Sequence, residues 1–177
     1  MSKPTVLKGR AIVVKDKNNK GIDDIDTDMI FHNRHLHITE LSEMGQFAFG
    51  NLEGWKDFSS TVQKDDILVV GKNFGAGSSR QQAVDCFTAL GVELIIGESF
   101  GAIYKRNTIN SGLPLMVASD VMKENLETGD ILEVNLETGK IMNVSKNYPL
   151  NSGIPLSKVQ LDIYQAGSMF EYGKILE

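Results

Sequence analysis

A chain of 177 residues that is 41% apolar and 23% charged has the composition of a soluble globular protein, long enough to bury a core without a disulfide or metal staple. Its net charge of −5 excludes the surplus of Lys and Arg that a nucleic-acid footprint needs, and no apolar stretch approaches the roughly 20 residues that span a bilayer. Cys86 is the sole cysteine, which excludes an internal disulfide; one thiolate cannot by itself hold an iron–sulfur cluster or a structural zinc.

Met1 to Thr5 lacks the apolar core of a secretory leader, so a cytoplasmic location is expected. Val6 to Val14 reads as a strand that ends in the polar turn Lys15 to Gly21. An acidic run of Asp23, Asp24, Asp26 and Asp28 follows, leading to Met29, Ile30, Phe31 and a segment that carries all three histidines, His32, His35 and His37. Thr39 is placed to cap a helix reaching Phe49, with Leu41, Met44, Phe47 and Ala48 at helical spacing and Gly50 as its stop. Phe58 to Lys64 reads as connection. Ile67 to Val70 is an apolar strand, the glycine-rich stretch Gly71 to Gly77 a loop, and Ser79 to Leu90 a helix that turns Ala83, Cys86, Phe87 and Leu90 inward before Gly91. Val92 to Ile96 is continuously apolar, as in a strand covered on both faces. Ser99, Phe100 and Gly101 open a helix through Ile109, and Pro114 to Val117 is a further strand. This alternation is that of parallel crossover units. Asp130 to Leu136 and Lys140 to Val144 then alternate around Glu137, Thr138 and Gly139 as an antiparallel hairpin. Pro149 and Pro155 bracket a loop, and Lys158 to Glu177 reads as a helix broken near Gly167. No repeat, low-complexity tract or linker divides the chain, so one α/β domain over residues 1–177 is expected: a mixed sheet with a parallel crossover core, flanked by helices.

The stretch Gly71-Lys72-Asn73-Phe74-Gly75-Ala76-Gly77-Ser78-Ser79-Arg80 carries the densest chemistry. Gly75 and Gly77 let a backbone approach a ligand closely, Ser78 or Ser79 can cap the following helix, and Arg80 can grip a carboxylate through two parallel hydrogen bonds. Strand, loop, hydroxyl pair and guanidinium would converge on a small carboxylate or phosphate. The plainer reading is a turn, a cap and a solvated arginine. A phosphate loop is excluded because no Gly-Lys-Ser/Thr ends the stretch, and the glycine intervals do not fit a dinucleotide fingerprint. The acidic run lacks the glycine and terminal glutamate offsets of a calcium loop. Three clustered histidines are weighed as metal ligands against surface or substrate-facing side chains, and their spacing is no standard ligand pattern. No metal site is expected. Cys86 reads as a core residue, while Trp55 with Phe47, Phe49 and Phe58 fits either a core or a partner-facing surface.

Gly71-x-Asn73-Phe74-Gly75-x-Gly77-Ser78-Ser79-Arg80, then Glu98 to Tyr104, then Asn107-x-x-Asn110-x-Gly112-Leu113-Pro114-Leu115, resemble in order the swivel domain of the aconitase family. Asp24 to Ile30 is similar to that family's acidic motif and Leu126 to Val144 to its late hairpin. As a separate short chain it most resembles the small subunits of 3-isopropylmalate dehydratases. The resemblance implies a swivelling β/β/α domain and a hydro-lyase active only with a large subunit, as a heterodimer, with a [4Fe–4S] cluster on that partner and none in this chain. It further implies that Ser78 is the catalytic base, that Asp28 organises the site, and that Ser79 and Arg80, with Arg34 and Gly77, bind a small di- or tricarboxylate. The histidine-bearing segment would sort substrates, with His37 at the sorting position. The leading implied activity is interconversion of 2- and 3-isopropylmalate in leucine biosynthesis. Homoaconitase, a split aconitase, a 2,3-dimethylmalate dehydratase and a non-catalytic carboxylate-binding module are the alternatives. The chain departs from the family at Gln81-Gln82, where Glu-His is usual, so a proton relay through that turn loses its titrating ring.

Overall fold

The computed structural model describes residues 2–177. Strands β1 (Val6–Val13), β2 (Ile67–Val70), β3 (Leu94–Gly97), β4 (Leu115–Val117), β5 (Ile131–Asn135), β6 (Ile141–Asn143) and β7 (Tyr148–Pro149) join one sheet in the order β4-β3-β2-β1-β5-β6-β7. β1 is shared between two kinds of pairing. Its second half, Ala11 to Val13, runs parallel to β2, while its first half, Val6 to Arg10, runs antiparallel to β5. The β1–β4 ladder is parallel and the hairpin side antiparallel, which bears out the mixed sheet.

Strand alternation divides the apolar side chains between two cores. Ile12, Leu68, Val70 and Ile95 face one core with α4 (Gln82–Ala89); Ala11, Val13, Ile67, Val69, Leu94 and Ile96 face the other, which the hairpin closes with Leu132, Val134 and Ile141. The first core is aromatic. Phe49, Phe58, Phe74 and Phe87 meet mostly edge to face, and the Trp55 indole N–H donates to Lys15 O at 2.9 Å while its ring packs on this core. Trp55 and its neighbouring phenylalanines therefore serve the core.

Several boundaries move. The helix expected from Thr39 is a short turn, α2 (Leu41–Met44), that begins after Glu40 and passes into a 3-10 turn at Gly45–Phe47. The left-handed residue that ends it is Phe49 (φ 58°), not Gly50, because the Phe49 ring is locked among aromatics and its N–H donates to Ile30 O at 2.8 Å. The connection after Phe58 contains a helical turn, α3 (Phe58–Thr61). Pro149, expected to open a loop, instead ends the short strand β7 with Tyr148. Helix α5 (Ala102–Asn110) follows β3 as expected, and the last helix breaks at Gly167 into α6 (Lys158–Ala166) and α7 (Met169–Leu176). α4 begins three residues later than expected, with Gln81 at its N-cap and no side-chain cap. Ser78 and Ser79 therefore do not cap it; the chain makes one more turn, closed by Ala83 N–H on Arg80 O at 3.1 Å.

Candidate active site

The glycine-rich loop leaves the carboxyl end of β2, where parallel sheets present their ligand crevices. Two neighbouring segments lace it down. The acidic run contributes Asp24 N–H to Lys72 O at 2.9 Å and accepts Gly75 N–H on Ile25 O at 2.7 Å, and Thr27 N–H reaches Ala76 O at 2.9 Å. Asp23 Oδ1 accepts from Lys72 N–H and Asp24 Oδ1 from Asn73 Nδ2, both at 2.9 Å. From the other side, Ser99 Oγ accepts Asn73 N–H at 2.8 Å and Ser99 O accepts Phe74 N–H at 3.1 Å. Three of the four aspartates thus build the loop and its support, with Asp26 capping α1 (Thr27–Ile30) by accepting Met29 N–H at 2.8 Å.

Glycine is required twice. Gly75 takes φ +80° and a Cβ there would lie 2.1 Å from Tyr104 Cγ, while Gly77 takes φ +95° in open surroundings. Tyr104 is buried and donates its hydroxyl to Ala83 O at 2.9 Å, so one ring braces both the loop and α4.

The N–H groups of residues 72–75 are spent on this lacing; those of residues 77–80 have no protein acceptor among the described residues. Ser78 is exposed and its hydroxyl makes no hydrogen bond among the described residues. Ser79 Oγ accepts from Asn107 Nδ2 of α5 at 3.0 Å. Arg80 is the anchored member. Its Nη1 donates to Asp28 Oδ1 at 2.8 Å and to Phe31 O at 3.1 Å, and its side chain is only 14% exposed, which rules out the solvated-arginine reading. Among the described residues Nε and Nη2 have no partner and no unpartnered side-chain nitrogen or oxygen is sealed from solvent, so these two donors reach the surface. A guanidinium fixed at one nitrogen with two donors left outward is prepared for a bidentate carboxylate.

Asp28 is held in turn. Asn33 N–H donates to its Oδ1 at 2.9 Å, and Asn51 Nδ2 reaches both its Oδ2 and its backbone O at 3.2 Å. The Arg80 hydrogen bond, helped by Asn33 and by the charges of His32 and Arg80 and opposed by burial, keeps the Asp28 carboxyl below the usual carboxylate range.

The histidine-bearing segment borders this pair. His32 Nδ1 accepts Arg34 N–H at 3.1 Å, and the His35 ring stacks on Phe47 at 3.9 Å, where burial first and then the charges of Arg34, His32 and His37 lower its pKa. Arg34 is exposed and turns its Nε to His35 Nε2 at 3.3 Å, away from any bond with Asp28 or Arg80; His37 is exposed and its ring makes no hydrogen bond among the described residues. Among the described residues no group of three or more His, Cys, Asp or Glu is placed to hold a metal ion. Cys86 is fully buried, and burial with the nearby Asp85 charge pushes its thiol up, so this thiol does not fit an iron–sulfur ligand. Sequence reasoning missed Asn51 and gave Asn107 no role, and it singled out Gln82 only as a departure from the family motif; each acts across a long sequence separation, and Asn51 alone lay outside a recognisable motif.

The Aconitase C-terminal domain family model matches residues 15–120. The 3-isopropylmalate dehydratase small subunit of Caldicellulosiruptor bescii is 38% identical over 163 residues, 92% of this chain and 96% of that protein. Small subunit 1 of the same enzyme from Archaeoglobus fulgidus is 40% identical over 156 residues, 87% of this chain and 92% of that one. The crystal structure of 3-isopropylmalate dehydratase (LeuD) from Methanocaldococcus jannaschii superimposes with a TM-score of 0.84 at 31% identity, covering 97% of this chain and 95% of that one. The α/β fold, the family model and relatives matched over nearly their whole length agree, and the chain belongs to the aconitase C-terminal domain family.

Proposed function

We propose that this chain is the small subunit of a 3-isopropylmalate dehydratase, a hydro-lyase that interconverts 2- and 3-isopropylmalate with a separate large subunit in the cytoplasm. The reading is supported by relatives of that name at this length and, in the structure, by one observation above the others: Arg80 is clasped by Asp28 with two donors open, two residues from an exposed, unengaged Ser78 hydroxyl.

In this reading Arg80 Nε and Nη2 take a substrate carboxylate, with the free N–H groups of residues 77–80 and Ser79 completing the cradle. Ser78, as its alkoxide, accepts the proton from the carbon beside that carboxylate; the electron pair forms the double bond as hydroxide leaves the adjacent carbon. A serine hydroxyl is too weak a base at its ordinary pKa, so the outward N–H groups and the neighbouring guanidinium supply the stabilisation its alkoxide needs. Departure of the hydroxyl belongs to the large subunit, which in the family carries the [4Fe–4S] cluster. The role of this chain is limited to the proton and the carboxylate, and residues 1–177 act as one swivelling unit that closes over the partner.

The experiment is reconstitution with the large subunit and assay of isopropylmalate, homocitrate and citrate. Preferential turnover of isopropylmalate supports the reading, and preference for a tricarboxylate reassigns the substrate. Inactivity on all three, with no iron–sulfur partner co-purifying, leaves the carboxylate-binding module.

A further inference from the structure

Residues 31–38 touch the core at Phe31, which is buried, at His35, whose ring stacks on Phe47, and at Ile38, while Asn33, Arg34, Leu36 and His37 are exposed. Between those contacts the exposed residues keep their shape through polar ties. Two of these ties come from the strip that follows the serines. Arg80 Nη1 donates to Phe31 O at 3.1 Å, and Gln82 Nε2 donates to Leu36 O at 3.2 Å. The histidine segment is thus stapled near both ends to residues two positions apart. The second staple is the informative one. Leu36 O lies in the same planar peptide as the His37 N–H, so a bond to that oxygen orients the peptide plane from which His37 springs.

We propose that Gln82 is a positioning residue for substrate selection: through the Leu36 carbonyl it sets where His37 stands relative to the open donors of Arg80. The inference rests on the functional reading above, in which Arg80 holds the carboxylate common to all substrates, and on the sorting role that the family resemblance implies for the histidine segment. Gln82 then governs discrimination and leaves proton abstraction untouched. Its amide also gives the departure from Glu-His a physical meaning. A carbonyl needs a donor; glutamine and histidine both have one, whereas an ionised glutamate is acceptor-only.

Two variants separate this role from a merely structural one. Gln82→Glu keeps the shape and loses the donor, and Gln82→His restores a donor. In the reconstituted complex, Gln82→Glu is expected to change the ratio of kcat/KM for 3-isopropylmalate over 3-methylmalate by about fivefold, the worth of one neutral hydrogen bond, through KM and with kcat retained. Gln82→His is expected to stay within about twofold of the parent ratio. An unchanged ratio in Gln82→Glu, or an equal loss of kcat on both substrates, overturns the proposal. Hydrogen exchange on the isolated chain is the second readout, independent of turnover: residues 31–38 should lose protection in Gln82→Glu and regain it in Gln82→His, and indifference to both refutes the tie. An inactive parent complex with the expected exchange pattern would sink the functional reading and spare the tie.

Discussion

Arg80→Lys isolates the two donors that face outward. In the parent, Nη1 satisfies Asp28 at 2.8 Å and Phe31 O at 3.1 Å, while Nε and Nη2 serve no group among the described residues. A lysine ammonium can stand near the Nη1 position and keep both internal bonds, so the fold should lose little. It cannot also present a planar pair of donors. A hydrogen bond to a charged group is worth about 1.5 to 3 kcal/mol, so the missing fork should cost about 10- to 150-fold in kcat/KM, with most of the loss in KM. Steady-state kinetics on the reconstituted complex, beside urea unfolding of the isolated chain, measure both halves. A kcat/KM within threefold of the parent would show that the open donors do not bind substrate. A collapse in stability of more than about 2 kcal/mol would show that the guanidinium is structural first.

Gly75→Ala should destabilise by about 2 to 5 kcal/mol, combining a left-handed backbone with overpacking, since its Cβ would stand 2.1 Å from the Tyr104 ring at φ +80°. Gly77→Ala, with nothing nearer than 3.7 Å, should cost only the backbone share of about 1 to 2 kcal/mol; equal costs in urea unfolding would refute the role of Tyr104 as the brace. The Asp28 carboxyl has a folded pKa below its unfolded value, so its clasp contributes stability above about pH 4 and loses it as pH falls through the lowered folded value. Asp28→Asn should therefore flatten the acid limb of the stability profile, and parallel limbs for parent and variant would contradict the assignment.

Local pattern made the centre of the fold legible. Ile67 to Val70, the glycine loop, α4, β3 and α5 follow one another with little between them, so strand alternation and helical spacing read the crossover core directly. The hairpin around Gly139 was legible for the same reason. What escaped was set by distant neighbours. Phe49 takes the left-handed turn because Ile30 and four aromatic rings hold it, and no local signal marks a phenylalanine for that conformation. The delayed start of α4 frees the serines from capping, an outcome that serine's strong preference for caps argues against. Within the site, the motif named Asp28 and Arg80 but not that one would clasp the other. Asn51 lies 23 residues from Asp28 and Gln82 46 residues from Leu36, separations that only the folded chain brings to bonding distance.

The most direct measurement is turnover by Ser78→Ala in complex with the large subunit, with complex formation and urea stability followed in parallel. The Ser78 hydroxyl is exposed and bonds nothing among the described residues, so its removal should leave both the fold and the complex intact. Loss of the base should lower kcat by about 10²- to 10⁴-fold. Full activity in a stable, assembled Ser78→Ala complex would contradict the account, because the proton would then have to leave by another group.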